Sequence, residues 1–176
     1  INPRGSTGWG EDFARYLHGG RGELDFPEFM AALDHVIAQG WVDEDRLGIT
    51  GYSYGGYITE WAIGQTDRFQ AAVGGAGVCD LYSHFAYTDN TVPRYKEMNG
   101  SPYDEPERYR RQSPLTYVQN VTTPLLLMHG DADLRCNTFQ SDQFFNALKY
   151  YGKEVTYVRF PGEHHGFRQT GKPSNR

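Results

Sequence analysis

The sequence lacks several features that define large classes of proteins. Its only cysteines are Cys79 and Cys136, too few for a disulfide scaffold and without the close pairing of a zinc or redox motif. We expect both thiols to be reduced and the compartment to be cytoplasmic. No apolar run approaches the roughly 18 to 20 residues that span a bilayer, and no signal peptide is evident. We therefore expect a soluble protein without a membrane partner.

An excess of one charge sign is also missing. The net charge is −5, and acidic and basic residues are mixed along the chain. Such a distribution predicts neither a nucleic-acid-binding face nor a polybasic membrane patch, so a small molecule or a peptide is the favoured partner. The 176 residues are 38% hydrophobic. They are enough to bury one core, and we expect a single domain over 1–176.

The apolar periodicity predicts alternating strands and helices. A three- and four-residue apolar spacing predicts a helix over 23–39, and further helices are expected over 57–64 and 138–151. Short apolar runs predict strands over 47–50, 69–73, 124–128 and 155–160. This alternation indicates an α/β fold, a mostly parallel sheet with helices on both faces. The segment 80–120 lacks a long period and is expected to form loops with short helices.

The segment Gly51-Tyr52-Ser53-Tyr54-Gly55 matches Gly-x-Ser-x-Gly between a predicted strand and a predicted helix. In that context the serine lies on a sharp turn, exposed above the sheet as a nucleophile. The amide of Tyr54, at the helix N-terminus, would supply half of an oxyanion hole. The alternative is a glycine-rich turn without chemistry, so the choice depends on an acid and a histidine further along the chain.

Both partners are present, each after a predicted strand. The acidic loop offers Asp131 and Asp133; we favour Asp133, deeper in the turn, and interpret Asp131 as a turn former. The last loop offers His164 and His165; we favour His165 as the general base and interpret His164 as a solvated loop residue. Two adjacent histidines in one loop are weak support for a metal, so we predict neither a metal nor a cofactor.

Four ordered segments, 2–10, 51–57, 129–136 and 160–167, resemble the catalytic domain of the prolyl oligopeptidase family, most closely its acylaminoacyl peptidase branch. The resemblance implies an α/β-hydrolase fold and a catalytic triad of Ser53, Asp133 and His165. It also implies that Arg135, two residues after the acid, holds the amino-terminal acyl region of the substrate. The alternative for Arg135 is a surface salt bridge, since an arginine fork suits carbonyl and carboxylate oxygens equally.

The resemblance implies a serine peptidase that cleaves short or N-acylated peptides through an acyl-enzyme on Ser53. A carboxylesterase acting on an ester would use the same triad, and a catalytically incomplete fragment acting as a structural unit is a third hypothesis.

Family members carry a β-propeller and further hydrolase strands before the first of these segments, and a helix after the histidine loop. We therefore expect a hydrolase fold truncated at both ends, with Tyr54 as the only oxyanion donor evident in the sequence. The flank left open by missing strands would expose unpaired backbone groups, which predicts a homodimer or larger homo-oligomer if this chain exists alone. The alternative is that the missing segments are present in the native protein and occupy that flank.

Overall fold

The computed structural model describes residues 1–175, which form four strands and eight α-helices with three short 3₁₀ turns. The strands are β1 (Gly48–Tyr52), β2 (Ala71–Gly75), β3 (Leu125–Gly130) and β4 (Val155–Phe160). The helices are α1 (Glu11–Arg15), α2 (Phe26–Ala38), α3 (Tyr54–Gln65), α4 (Leu81–Tyr87), α5 (Thr91–Glu97), α6 (Pro106–Arg111), α7 (Phe139–Tyr150) and α8 (Phe167–Thr170). The 3₁₀ turns are Glu44–Arg46, Pro114–Asn120 and Pro173–Asn175.

The four strands form one parallel sheet in the order β1-β2-β3-β4. Ile49 aligns with Ala72, Ala72 with Leu125 and Leu125 with Val155. The predicted parallel sheet is therefore confirmed, and each strand lies within two residues of its expected position. Because all strands run in the same direction, the loops after β1, β3 and β4 meet at one edge of the sheet.

One face of the sheet carries the main core. Ala72, Leu125 and Leu127 point into a cluster that α3, α7 and the Pro114–Asn120 turn cover. Phe144 and Leu148 of α7 are fully buried there. Burial of each such side chain contributes about 1.5–3 kcal/mol to folding. Packing of the helices against every second residue of the strands therefore holds the sheet against α3 and α7.

The helices are distributed unevenly between the two faces. The three long helices α2, α3 and α7 pack on the face of Ile49 and Leu127. On the opposite face, the described residues provide only the short α8, whose Phe167 contacts the rings of Tyr52 and Phe160. Away from that contact the second face stays open, and Val158 is 38% exposed.

The segment between β2 and β3 forms short elements, as predicted: α4, α5, α6 and the Pro114–Asn120 turn. Asp80 caps α4 by accepting hydrogen bonds from the amides of Tyr82 and Ser83. Leu115 N–H donates to the Cys79 carbonyl over 2.9 Å and anchors the return of the chain to the sheet. The segment between β2 and β3 lies beside the carboxyl ends of the strands, and its residues His84, Arg94 and Glu97 form part of a cavity wall there.

Within residues 1–175, β1 pairs with β2 alone, so its outer edge has no strand partner. A homo-oligomer of the kind expected from the sequence would have to cover this edge. Both cysteines are buried and free. None of the helices in residues 1–175 has the length and apolarity needed to cross a membrane.

Candidate active site

The turn between β1 and α3 holds Ser53 in a strained backbone conformation. Its φ is 60° and its ψ is −115°, a combination that residues with a side chain rarely adopt. The Ser53 amide donates to the Gly75 carbonyl over 2.8 Å, which ties the turn to β2. Tyr54 is the first residue of α3, so its amide belongs to the first turn, whose N–H groups lack intrahelical acceptors.

Glycines allow the chain to close on itself around Ser53. A Cβ added to Gly51 would lie 2.3 Å from the carbonyl carbon and oxygen of Gly55. A Cβ added to Gly56 would lie 2.5 Å from the Gly75 oxygen. Backbone cannot move out of the way as a flexible side chain can, so these contacts require glycine.

Ser53, His165 and Asp133 form a continuous hydrogen-bonded chain although they lie far apart in sequence. His165 Nε2 lies 2.9 Å from Ser53 Oγ, and His165 Nδ1 lies 2.6 Å from Asp133 Oδ2. A carboxylate only accepts hydrogen bonds, so Nδ1 carries the proton and Nε2 is free to accept from the serine hydroxyl. This is the tautomer that a general base requires.

Asp133 is buried and held as a carboxylate by several donors. Burial by itself would raise its pKa, but hydrogen bonds from His129, His165 and the Cys136 amide outweigh burial and lower the pKa. The amides of Arg135 and Cys136 each donate to Oδ1 over 2.9 Å. The side chain thus stays ionised and oriented beneath His165.

His129 is a supporting residue that sequence reasoning missed. It is fully buried, and its Nε2 lies 2.6 Å from the Cys136 carbonyl and 3.3 Å from Asp133 Oδ2. A carbonyl only accepts, so Nε2 carries the proton, and Nδ1 accepts from the Ser141 hydroxyl over 2.7 Å. The sequence signal for this role was the position of His129 at the end of β3, four residues before Asp133.

The two competing candidates lie elsewhere. Asp131 Oδ1 accepts from the Gly162 amide over 2.6 Å and so joins the acidic loop to the histidine loop. His164 is exposed and contacts the Gly166 amide and the Thr170 hydroxyl. Neither has a contact with Ser53 among the described hydrogen bonds. Within residues 1–175, no group of three or more His, Cys, Asp or Glu side chains could hold a metal ion.

Comparison with known proteins identifies relatives of this chain. The family model described as "Prolyl oligopeptidase family" matches residues 1–175. The chain belongs to the prolyl oligopeptidase family. It is 40% identical over 178 residues to the uncharacterized peptidase YuxL of Bacillus subtilis, covering 100% of this chain and 27% of that protein. It is 36% identical to the acylamino-acid-releasing enzyme of Arabidopsis thaliana, covering 94% of this chain and 23% of that protein.

Solved structures of this family give the same result for the fold. The uncomplexed acylaminoacyl peptidase of Pyrococcus horikoshii superposes with a TM-score of 0.95 at 40% identity, covering 100% of this chain and 29% of that one. The α/β-hydrolase fold expected from the sequence is thereby confirmed. The chain spans roughly a quarter of the length of these relatives.

A cavity of about 290 Å³ opens beside Ser53 and His165, and Arg135 lies in its wall. Arg135 also forms an ion pair, with Nε 2.5 Å and Nη2 3.4 Å from the two carboxylate oxygens of Asp89. Both hypotheses for this residue, a substrate contact and a salt bridge, therefore have a structural counterpart. The side chain of Arg135 is 45% exposed. Solvent therefore screens the ion pair and weakens it, and the guanidinium group remains accessible.

The contact between Gly51 and Gly55 provides a stability test with a matched control. Gly51→Ala forces a Cβ into the Gly55 backbone, and we expect a loss of about 1–3 kcal/mol in the free energy of unfolding. Gly55→Ala meets no atom within 4 Å and removes a glycine from a helix, so it should gain about 0.5–1 kcal/mol. Urea unfolding measures both, and equal effects of the two changes would contradict the packing argument.

The lowered pKa of Asp133 predicts a pH dependence of stability. In the unfolded chain an aspartate has a pKa of about 3.9, and the pKa of the folded carboxyl is lower. Its stabilising contribution is therefore present above about pH 4 and is lost as the pH falls through the folded pKa. The free-energy difference in unfolding between wild type and Asp133→Asn should shrink on acidification. Urea titrations from neutral pH downward measure it; a difference that stays constant would refute the assignment.

Proposed function

We propose that this chain is the catalytic core of a serine peptidase that cleaves short or N-acylated peptides through an acyl-enzyme on Ser53. The observation that carries the proposal is the hydrogen-bonded series Ser53, His165 and Asp133 on a strained turn beside a cavity. A strained serine with no role in catalysis would cost stability without a compensating gain.

In this mechanism Ser53 Oγ attacks the substrate carbonyl carbon while its proton passes to His165 Nε2. Asp133 stabilises the resulting imidazolium through Nδ1. The negative oxygen of the tetrahedral intermediate accepts from the Tyr54 amide at the positive end of α3. Collapse breaks the C–N bond, and His165 returns the proton to the leaving amine. Water then adds to the ester with His165 as the base, which releases the acid and regenerates Ser53.

The names of the relatives favour a peptide over a simple ester as the substrate. They include acylamino-acid-releasing enzymes and dipeptidyl peptidases, and one similar structure is an acylaminoacyl peptidase in complex with Z-Gly-Gly-Phe-chloromethyl ketone. A carboxylesterase would use the same triad because the tetrahedral intermediates are alike. The ratio of activities on an acylated amino-acid anilide and a p-nitrophenyl ester distinguishes the two.

Fluorophosphonate labelling tests the proposed nucleophile. Intact mass should show one adduct on the wild type and none on Ser53→Ala, because only an activated serine reacts. His165→Ala and Asp133→Asn should slow hydrolysis about 10³- to 10⁴-fold, since the triad acts as a unit. The matched controls His164→Ala and Asp131→Asn should stay within about threefold of wild type. If Asp131→Asn were the damaging change, the assignment of the acid would be wrong.

The proposed substrate contact of Arg135 has a separate test. We expect Arg135→Ala to lower kcat/KM for N-acylated anilides about 10- to 100-fold, because a charge-assisted hydrogen bond to the acyl carbonyl is lost. Simple esters lack that carbonyl and should lose much less. Arg15→Ala, which breaks only an exposed pair with Glu11, is the control. Equal losses on both substrate types would show that Arg135 only supports its loop.

A further inference from the structure

The cavity beside Ser53 has a charged interior in which the proposed function assigns a role only to Arg135, Ser53 and His165. Its wall includes Arg21, Arg94, Arg135, Glu97 and His84 in addition to Ser53 and His165. Arg21 and Glu97 also border a larger cavity of about 530 Å³ under the amino-terminal segment, which contains neither Ser53 nor His165. The Arg21–Glu97 pair therefore stands between the two spaces.

Positive charge exceeds negative charge inside this wall. Glu97 Oε2 accepts from Arg21 Nη2 and also from Arg94 Nη1, the second over 2.5 Å. One carboxylate cannot neutralise two guanidinium groups, so this cluster keeps a net charge of about +1. Arg135 adds a third guanidinium, and its partner Asp89 does not line the cavity. An entering ammonium would be repelled and an entering carboxylate attracted.

Arg94 is the more accessible of the two arginines that share Glu97. Its side chain is 20% exposed, against 11% for Arg21.

His84 contributes a polar atom without adding charge. Its burial lowers its pKa to about 3, and the nearby Arg94 and Arg21 act in the same direction. At neutral pH the ring is therefore uncharged, and the guanidinium groups set the sign of the cavity. Val78 and the buried ring of Tyr57 supply apolar wall for the methylene groups of an entering side chain.

We infer that this cavity receives the side chain of the substrate residue whose carbonyl Ser53 attacks, that it selects an acidic side chain, and that Arg94 determines the selection. An apolar side chain would leave the guanidinium groups in the wall without a counter-charge, whereas a carboxylate would supply one. The inference rests on the proposed function, because it takes Ser53 as the nucleophile.

A matched series of N-acetyl amino-acid p-nitroanilides tests the inference, with glutamate, glutamine, phenylalanine and lysine at the cleaved position. We expect kcat/KM to be highest for glutamate, about tenfold lower for glutamine and lowest for lysine. The glutamate-to-glutamine ratio should fall as ionic strength rises, because charge attraction is screened. A preference for phenylalanine or lysine would overturn the inference from the wild type alone.

Variants of Arg94 test whether this residue determines the preference for glutamate over glutamine. Arg94→Gln removes the charge, and we expect the glutamate-to-glutamine ratio to fall about tenfold, to near unity. Arg94→Lys keeps the charge and should retain part of the ratio. Arg15→Gln, on the surface, should leave it unchanged. A wild-type ratio that persists in Arg94→Gln would overturn the role of Arg94.

Fluorophosphonate labelling of the wild type distinguishes a failure of the proposed function from a failure of the glutamate preference. Labelling on Ser53 without a preference for glutamate overturns only the selectivity inference. Failure to label Ser53 overturns the proposed function and the selectivity inference with it, because no acyl-enzyme could then form there.

Discussion

The approach of the Gly51 backbone to that of Gly55 is the constraint on which the rest of this structure depends. It permits β1 to turn directly into α3 and places Ser53 at φ 60° above the sheet edge. The same turn sets the first amide of α3 beside the serine and lets Gly56 pack against β2. A methyl group at Gly51 would separate strand from helix and move the nucleophile away from His165.

Backbone contacts also hold the acidic and histidine loops together. Ala132 N–H donates to the Glu163 carbonyl over 2.9 Å, and Asp131 Oδ1 accepts a hydrogen bond from the Gly162 amide. A Cβ on Gly130 would lie 2.4 Å from the Glu163 oxygen, so this approach again requires glycine. The distance between Asp133 and His165 is thus set by the loops rather than by the two side chains alone.

Two buried carboxyl groups have pKa values shifted in opposite directions, because one has hydrogen-bond donors and the other has none among the described residues. Asp133 remains ionised because hydrogen bonds from His129, from His165 and from backbone amides outweigh its burial. The carboxyl group of Glu60, on α3, is fully buried without a hydrogen-bond partner among the described residues, and its pKa is raised well above the ordinary value. The comparison shows why the charge state of a buried carboxyl depends on its immediate donors.

The sequence by itself determined the four strands, the three long helices and the order of serine, acid and histidine, because these depend on local periodicity and on turn residues. It also favoured Asp133 and His165, the pair that the structure brings to Ser53. Only the tertiary structure decided the placement of the long helices on one face, the support that His129 gives to Asp133, and the meeting of Arg21, Arg94 and Glu97 in one cavity. These contacts join residues up to 76 positions apart. No local pattern encodes the contacts between distant residues, because they arise only when the strand order brings separate loops to the same edge of the sheet.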